Sequence, residues 1–264
     1  MKTKLLFSAL FLLTIFFSKA QMDDKFYQPD KVMKPLEFSN PSFISLPVEN
    51  DTITALFLKP QINTKKKTVF FFHGANGNVS TYQYITKPLV DDGFQVVMID
   101  FRGYGKSTGT PTHLNVAADG QKMFEFLLNK PEIRNTKIYI YGASLGSQIA
   151  VHLTRENKDK ISGLIIDGGM SSFADIASVH APQYKAFINQ MLQNVYAAKE
   201  DVKYTEGLPK LFIYSQNDTT IPFSQGQEMF KNASEPKQLL ENKAEHIQGL
   251  KDEPEEILKA INNL

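Results

Sequence analysis

The residues in this sequence able to do chemistry together are a serine between glycines, a late histidine, and carboxylates lying between them. Gly142-Ala143-Ser144-Leu145-Gly146 follows the apolar run Lys137–Tyr141 and opens a segment with helical apolar spacing at Leu145, Ile149 and Leu153. In a strand–turn–helix setting, the central serine of Gly-x-Ser-x-Gly rides a sharp, strained turn that lifts its hydroxyl off the end of a sheet. Bulky side chains two positions before or after it would strike the neighbouring strand and helix, so glycine suits both places.

A hydroxyl is a weak nucleophile until an imidazole takes its proton, and the imidazole needs a carboxylate to fix its tautomer. Taken in the chain order serine, acid, histidine, only His246 of the five histidines follows both Ser144 and the post-strand acid Asp218. Asp218, just after the apolar run Leu208–Tyr214, is the preferred acid, and Asp167, after Ile161–Ile166, is the alternative. Asp100 precedes the serine and reads as a strand-end residue that fixes the following turn. Charge developing on a carbonyl oxygen calls for two backbone N–H donors. Leu145 supplies one and Ala75, in His73-Gly74-Ala75-Asn76-Gly77-Asn78, is the candidate for the other, with His73 bracing that loop. These groups imply acyl transfer through a covalent acyl-serine, which requires no metal and no cofactor.

The elements that must hold them alternate. Phe43–Leu46 and Thr52–Leu58 read as a hairpin, the latter with Ile53, Ala55 and Phe57 on its buried face. Thr68–Phe72, Phe94–Asp100, Lys137–Tyr141, Ile161–Ile166, Leu208–Tyr214 and Lys237–Glu241 read as further strands separated mostly by helical segments. The expected fold is α/β: a mostly parallel eight-stranded sheet with an antiparallel N-terminal edge and helices on both faces. Residues 171–206 break the rhythm and read as a small helical cap, with Phe173, Ile176 and Val179 on one face and Phe187, Met191 and Leu192 on another. Residues 21–41, punctuated by Pro29, Pro35 and Pro41, read as an extended arm lying over the domain.

The 264 residues suffice for one α/β domain, here residues 21–264, and no internal repeat or later boundary is visible. A net charge of +1 argues against a nucleic-acid partner. With no cysteine, disulfides, thiol catalysis and cysteine lipidation are excluded. Lys2 and Lys4, the apolar stretch Leu5–Phe17 and the small residues near Ala20 form the pattern of a secretory signal peptide, residues 1–20. The mature chain is expected to start near Gln21, secreted or periplasmic, with no integral membrane span after cleavage.

Phe72-His73-Gly74-Ala75-Asn76-Gly77-Asn78, Asp100-Phe101-Arg102-Gly103-Tyr104-Gly105-Lys106-Ser107, Tyr141-Gly142-Ala143-Ser144-Leu145-Gly146, Asn217-Asp218-Thr219-Thr220-Ile221-Pro222 and Glu245-His246 occur in that order. Together they resemble the α/β-hydrolase superfamily over about residues 45–260, and in particular its single-domain serine hydrolases of depalmitoylase-like and lysophospholipase-like type. One departure stands out: Ser147 occupies the place where such elbows often carry a second glycine. A monomer acting on a small-molecule or lipid-like acyl ester is expected, and the resemblance implies the α/β-hydrolase fold and serine hydrolysis. It carries no particular substrate, since this fold hosts many. Peptidase, thioesterase or deacylase action on the same fold, or a non-catalytic binding protein retaining it, are the alternatives.

Overall fold

The computed structural model describes residues 22–62, 65–193 and 195–264; the expected signal peptide and the start near Gln21 lie outside the described residues. Eight strands form one sheet: β1 (Ser42–Val48), β2 (Asp51–Leu58), β3 (Lys67–Phe72), β4 (Gln95–Asp100), β5 (Lys137–Ala143), β6 (Gly163–Asp167), β7 (Lys210–Ser215) and β8 (Lys237–Asn242). Their spatial order is β8-β7-β6-β5-β3-β4-β2-β1. The hairpin β1–β2 is antiparallel and β2 is antiparallel to β4, while all later pairings are parallel. The carboxyl ends of β3 to β8 therefore open along one rim, where ligands bind in open α/β sheets.

Side-chain alternation divides the core into two layers. Phe70 and Phe72 of β3, Val97 and Ile99 of β4 and Ile138 and Ile140 of β5 pack on one face. Val69 and Phe71, Val96 and Met98, and Tyr139 and Tyr141 pack on the other. Helices α2 (His113–Leu128), α3 (Gly146–Asn157) and α7 (Phe223–Asn232) cover the first face. Helices α1 (Gln83–Asp91) and α9 (Pro254–Asn262) cover the second. Each fully buried Phe contributes about 1.5–3 kcal/mol, so a sheet covered on both sides is stable without disulfides. The expectation of one buried face for Thr52–Leu58 is too narrow: Leu56 and Leu58 are as buried as Ile53 and Ala55, because helices cover both layers.

The segment after β6 is helical in pieces: α4 (Phe173–His180), a 3-10 turn (Pro182–Tyr184), α5 (Lys185–Leu192) and α6 (Ala198–Asp201). Ser172 caps α4 by accepting the Asp175 N–H. Ile176, Ile188 and Leu192 are buried, while Val179 and Phe187 are exposed. The arm also differs from expectation. Residues 22–26 are helical before Gln28–Pro29 pair in parallel with Asn76–Gly77.

Candidate active site

Ser144 lies in the turn between β5 and α3 with φ of 53°, a region that a residue with a Cβ enters only at a cost. Its flanking glycines are required by space. A Cβ on Gly142 would lie 2.6 Å from Ala150 Cβ and Ser147 Cα, and one on Gly146 would overlap the Phe72 carbonyl of β3. The Ser144 N–H donates to the Asp167 carbonyl at 2.9 Å, which anchors the turn to the end of β6. Ser147 is accommodated by a glycine elsewhere: its Oγ would lie 2.7 Å from a Cβ on Gly169.

The Ser144 hydroxyl donates to His246 Nε2 at 2.9 Å, and His246 Nδ1–H donates to Asp218 Oδ2 at 2.6 Å. With Nδ1 protonated, Nε2 presents a lone pair to the serine. The other oxygen of Asp218 accepts the N–H groups of Thr220 and Ile221, each at 2.8 Å, which fixes the carboxylate plane. The loops bearing the acid and the histidine are stapled together. Ser215 Oγ donates to the Ala244 carbonyl, Asn217 Nδ2 to the Lys243 carbonyl at 2.8 Å, and the Gln216 N–H to the Asn242 carbonyl at 3.1 Å. Ile247, next to the imidazole, has φ of 51°, a second strained backbone position in this site and an unusual one for a β-branched residue.

Asp167, the alternative acid, lies nearby but is otherwise engaged. Its carboxylate accepts the Tyr141 hydroxyl at 2.7 Å, and burial pushes it up to about 6. Asp100 behaves as expected of a strand-end brace, accepting the N–H groups of Val79 and Lys106 and so joining the loops after β3 and β4.

The Ala75 loop is held by His73. Its Nδ1–H donates to the Gly74 carbonyl at 2.8 Å and its Nε2 accepts the Phe101 N–H at 3.4 Å. Burial lowers His73 to about 4, so the ring is neutral at physiological pH. The Gly74 carbonyl and the Ala75 N–H share one peptide plane and point oppositely. The bond from His73 thus turns the Ala75 N–H away from the ring. Neither the Ala75 nor the Leu145 N–H donates to an acceptor among the described residues. Both residues, with Ser144, line a cavity of about 710 Å³.

Some parts of this site were not read from the sequence. Gly168 is one: a Cβ there would lie 3.2 Å from His246 Nδ1 and 2.7 Å from Ile247 Cγ2, so the glycine makes room for the imidazole. The arm is another, since Met22, Lys25, Phe26 and Gln28 line the cavity together with Ile176 and Ile188 of the cap. Phe26 lodges edge-on between His113 and Phe173, at 5.2 and 5.1 Å between ring centroids. Asp23 Oδ1 accepts the His113 backbone N–H at 2.9 Å. The i, i+3, i+4 spacing of Met22, Lys25 and Phe26 is the only sequence signal for this, and one helical turn is too short to be distinctive.

The strand order and the elbow define an α/β-hydrolase. The chain belongs to the S33 family of that superfamily, described as serine aminopeptidase, whose family model matches residues 63–199, just over half of its length. That match includes Ser144 and most of the cap, but ends before Asp218 and His246. Protein bem46 of Schizosaccharomyces pombe is 30% identical over 168 residues, 63% of this chain and 56% of that protein, so the chain spans little over half of that relative. The uncharacterized protein YfhR of Escherichia coli K12 is 25% identical over 232 residues, 86% of this chain and 80% of that one. Among solved structures, the Pyrococcus furiosus esterase Pf2001 matches with a TM-score of 0.72 at 18% identity, covering 90% of this chain and 96% of that one. Est1E of Butyrivibrio proteoclasticus, solved with ferulic acid bound, matches with a TM-score of 0.69 at 16% identity, covering 83% and 96%. At such identities the structural likeness is one of fold.

Proposed function

We propose that this hydrolase is a serine esterase that cleaves carboxylic esters through an acyl-enzyme. The observation that carries the reading is the continuous chain Ser144 Oγ–His246 Nε2 and His246 Nδ1–Asp218 Oδ2, at 2.9 and 2.6 Å, opening on an apolar cavity. In the first half-reaction Ser144 Oγ bonds to the ester carbonyl carbon as its proton passes to His246 Nε2. The Leu145 and Ala75 N–H groups receive the oxyanion. His246 then protonates the departing alkoxide as the carbon–oxygen bond breaks. In the second half-reaction water adds to the acyl carbon, its proton goes to Nε2, and the acid leaves as Ser144 recovers its proton. Asp218 holds the imidazole in its tautomer and stabilises the imidazolium.

Ester rather than amino-terminal peptide cleavage is favoured by the cavity wall. An aminopeptidase must hold an α-ammonium, and no Asp or Glu among the described residues lines this cavity. The protein is further proposed to be an exported monomer, one domain over residues 21–264 with 171–206 as its cap, released by removal of residues 1–20. The decisive test is Ser144→Ala assayed on p-nitrophenyl esters. Turnover should fall by about 10³-fold or more, with loss of fluorophosphonate labelling. Hydrolysis at the wild-type rate by this variant would refute the reading.

A further inference from the structure

The cavity has a polarity that runs from floor to mouth. Ser144 and Leu145, both buried, form its floor, and Ile176, Ile188 and Phe26 give it apolar walls. Lys25 and His180 line it from exposed positions, which places them at the solvent end. Among the described residues they are the two basic side chains of the lining, and no acidic side chain accompanies them. Neither makes an ion pair or a hydrogen bond among the described residues. Nearby lysines do find partners: Lys199 contacts Asp175 at 2.6 Å and Glu228 at 3.3 Å.

The backbone turn that carries Lys25 is also held in place. The helical turn 22–26 presents Met22, Lys25 and Phe26 to the cavity, while Asp23 and Tyr27, on the adjoining face, engage His113. An unpaired cation fixed at the mouth of an apolar cavity attracts an anion there and raises its local concentration. Resting on the ester-hydrolase reading above, we propose that the preferred substrates are anionic amphiphiles, in which an apolar spacer separates the scissile ester from a carboxylate or phosphate. The ester lies at Ser144, the spacer fills the apolar walls, and the anion meets Lys25 and His180 at the mouth.

Matched chromogenic esters test this. One pair carries the charge on the acyl side: the mono-p-nitrophenyl ester of octanedioic acid against the same compound with its free carboxylate methylated. A second pair carries it on the alcohol side: 4-octanoyloxybenzoate against its methyl ester. In at least one pair the anionic member should show the higher kcat/KM, through a lower KM. That ratio should drop about threefold in Lys25→Gln and about tenfold in Lys25→Glu, since the contact is solvent-exposed. It should also shrink at about 0.5 M salt, where screening is nearly complete beyond a few ångströms. His180→Asp provides an independent variant and should lower the same ratio. Ratios unchanged in both pairs for Lys25→Glu and His180→Asp overturn the proposal while leaving the esterase reading intact. Failure of every probe, anionic or neutral, to be hydrolysed in a Ser144-dependent way overturns both.

Discussion

Two histidine–aspartate pairs are of almost equal length: His246–Asp218 at 2.6 Å beside Ser144, and His152–Asp201 at 2.7 Å between α3 and α6. Only the partners differ. The far nitrogen of His246 accepts from Ser144, whereas the His152 ring stacks on Tyr196 with centroids 4.6 Å apart. The second oxygen of Asp218 is satisfied by two neutral backbone N–H groups, leaving its charge free to answer an imidazolium. The second oxygen of Asp201 is already matched by Arg155 at 2.7 Å. A histidine–aspartate pair is therefore no site in itself. What distinguishes the first is a nucleophile on the other nitrogen and a carboxylate with no competing cation.

The sharpest way to break this comparison is to neutralise each acid in turn. Asp218→Asn should lower kcat on a p-nitrophenyl ester by about 10⁴-fold, because the amide favours the wrong tautomer of His246. Asp201→Asn should leave kcat within about twofold, as expected of a pair remote from the reacting atoms. Similar losses in both variants would erase the distinction.

A smaller perturbation probes how closely His246 is seated. In Gly168→Ala the new methyl group would meet both the imidazole and Ile247, at a residue with φ of 53°. A displacement on the order of 1 Å typically costs about 100-fold in rate. Turnover should fall by that order, and the rate of fluorophosphonate labelling of Ser144 should fall with it. Undiminished labelling would mean that the imidazole has slack the packing does not suggest.

How much of this was readable beforehand follows from what each part depends on. The eight strands, their antiparallel N-terminal edge, the elbow and the candidate residues beside it were legible because local sequence patterns announce them. Gly142 is demanded by contact with Ser147 and Ala150 a few residues on, Gly146 is demanded by the Phe72 carbonyl but announced by the Gly-x-Ser-x-Gly pattern, and Asp218 and His246 lie in the loops that follow β7 and β8. Gly168 was not legible, because its neighbour His246 is brought to it only by the parallel sheet. The arm was read as extended, yet it forms a helical turn whose anchor, His113, lies on a helix about 90 residues later. In residues 171–206, Val179 and Phe187 are exposed, though Phe187 still lines the cavity, because what so short a helix packs on is not set by its periodicity.

Asp167 can be probed by pH as well as by geometry. Burial raises Asp100 and Asp167 to about 6, so the stability they contribute is present below pH 3.8 and lost as pH rises through 6. Burial lowers His73 and His113 to about 4, so their contribution is present above pH 6.5 and lost as pH falls through 4. Between pH 4 and 6 the two sets oppose each other. Asp167→Asn removes one of the opposing acids, so its unfolding temperature should climb with pH more steeply than that of the wild type. The excess should be about 2–4 °C per pH unit, measured by thermal unfolding across that interval. Parallel curves for the two proteins would show that Asp167 does not titrate there.

The smallest effect expected is the stability carried by the second pair. Burial works to raise the Asp201 carboxyl, but hydrogen bonds from His152 and Arg155 outweigh it, so it lies below the usual carboxylate range. A carboxyl lowered on folding adds stability that is present above pH 3.8 and disappears as pH falls through its folded value. Asp201→Asn keeps the shape and removes the charge. Because Arg155 is 41% exposed, solvent screens its half of the interaction, and the loss at neutral pH should be only about 1 kcal/mol. Denaturant unfolding at pH 7 should resolve that difference. Repeated well below pH 4, where the wild-type carboxyl is protonated too, the two proteins should converge. A gap that persists in acid would mean that Asp201 contributes through packing rather than charge.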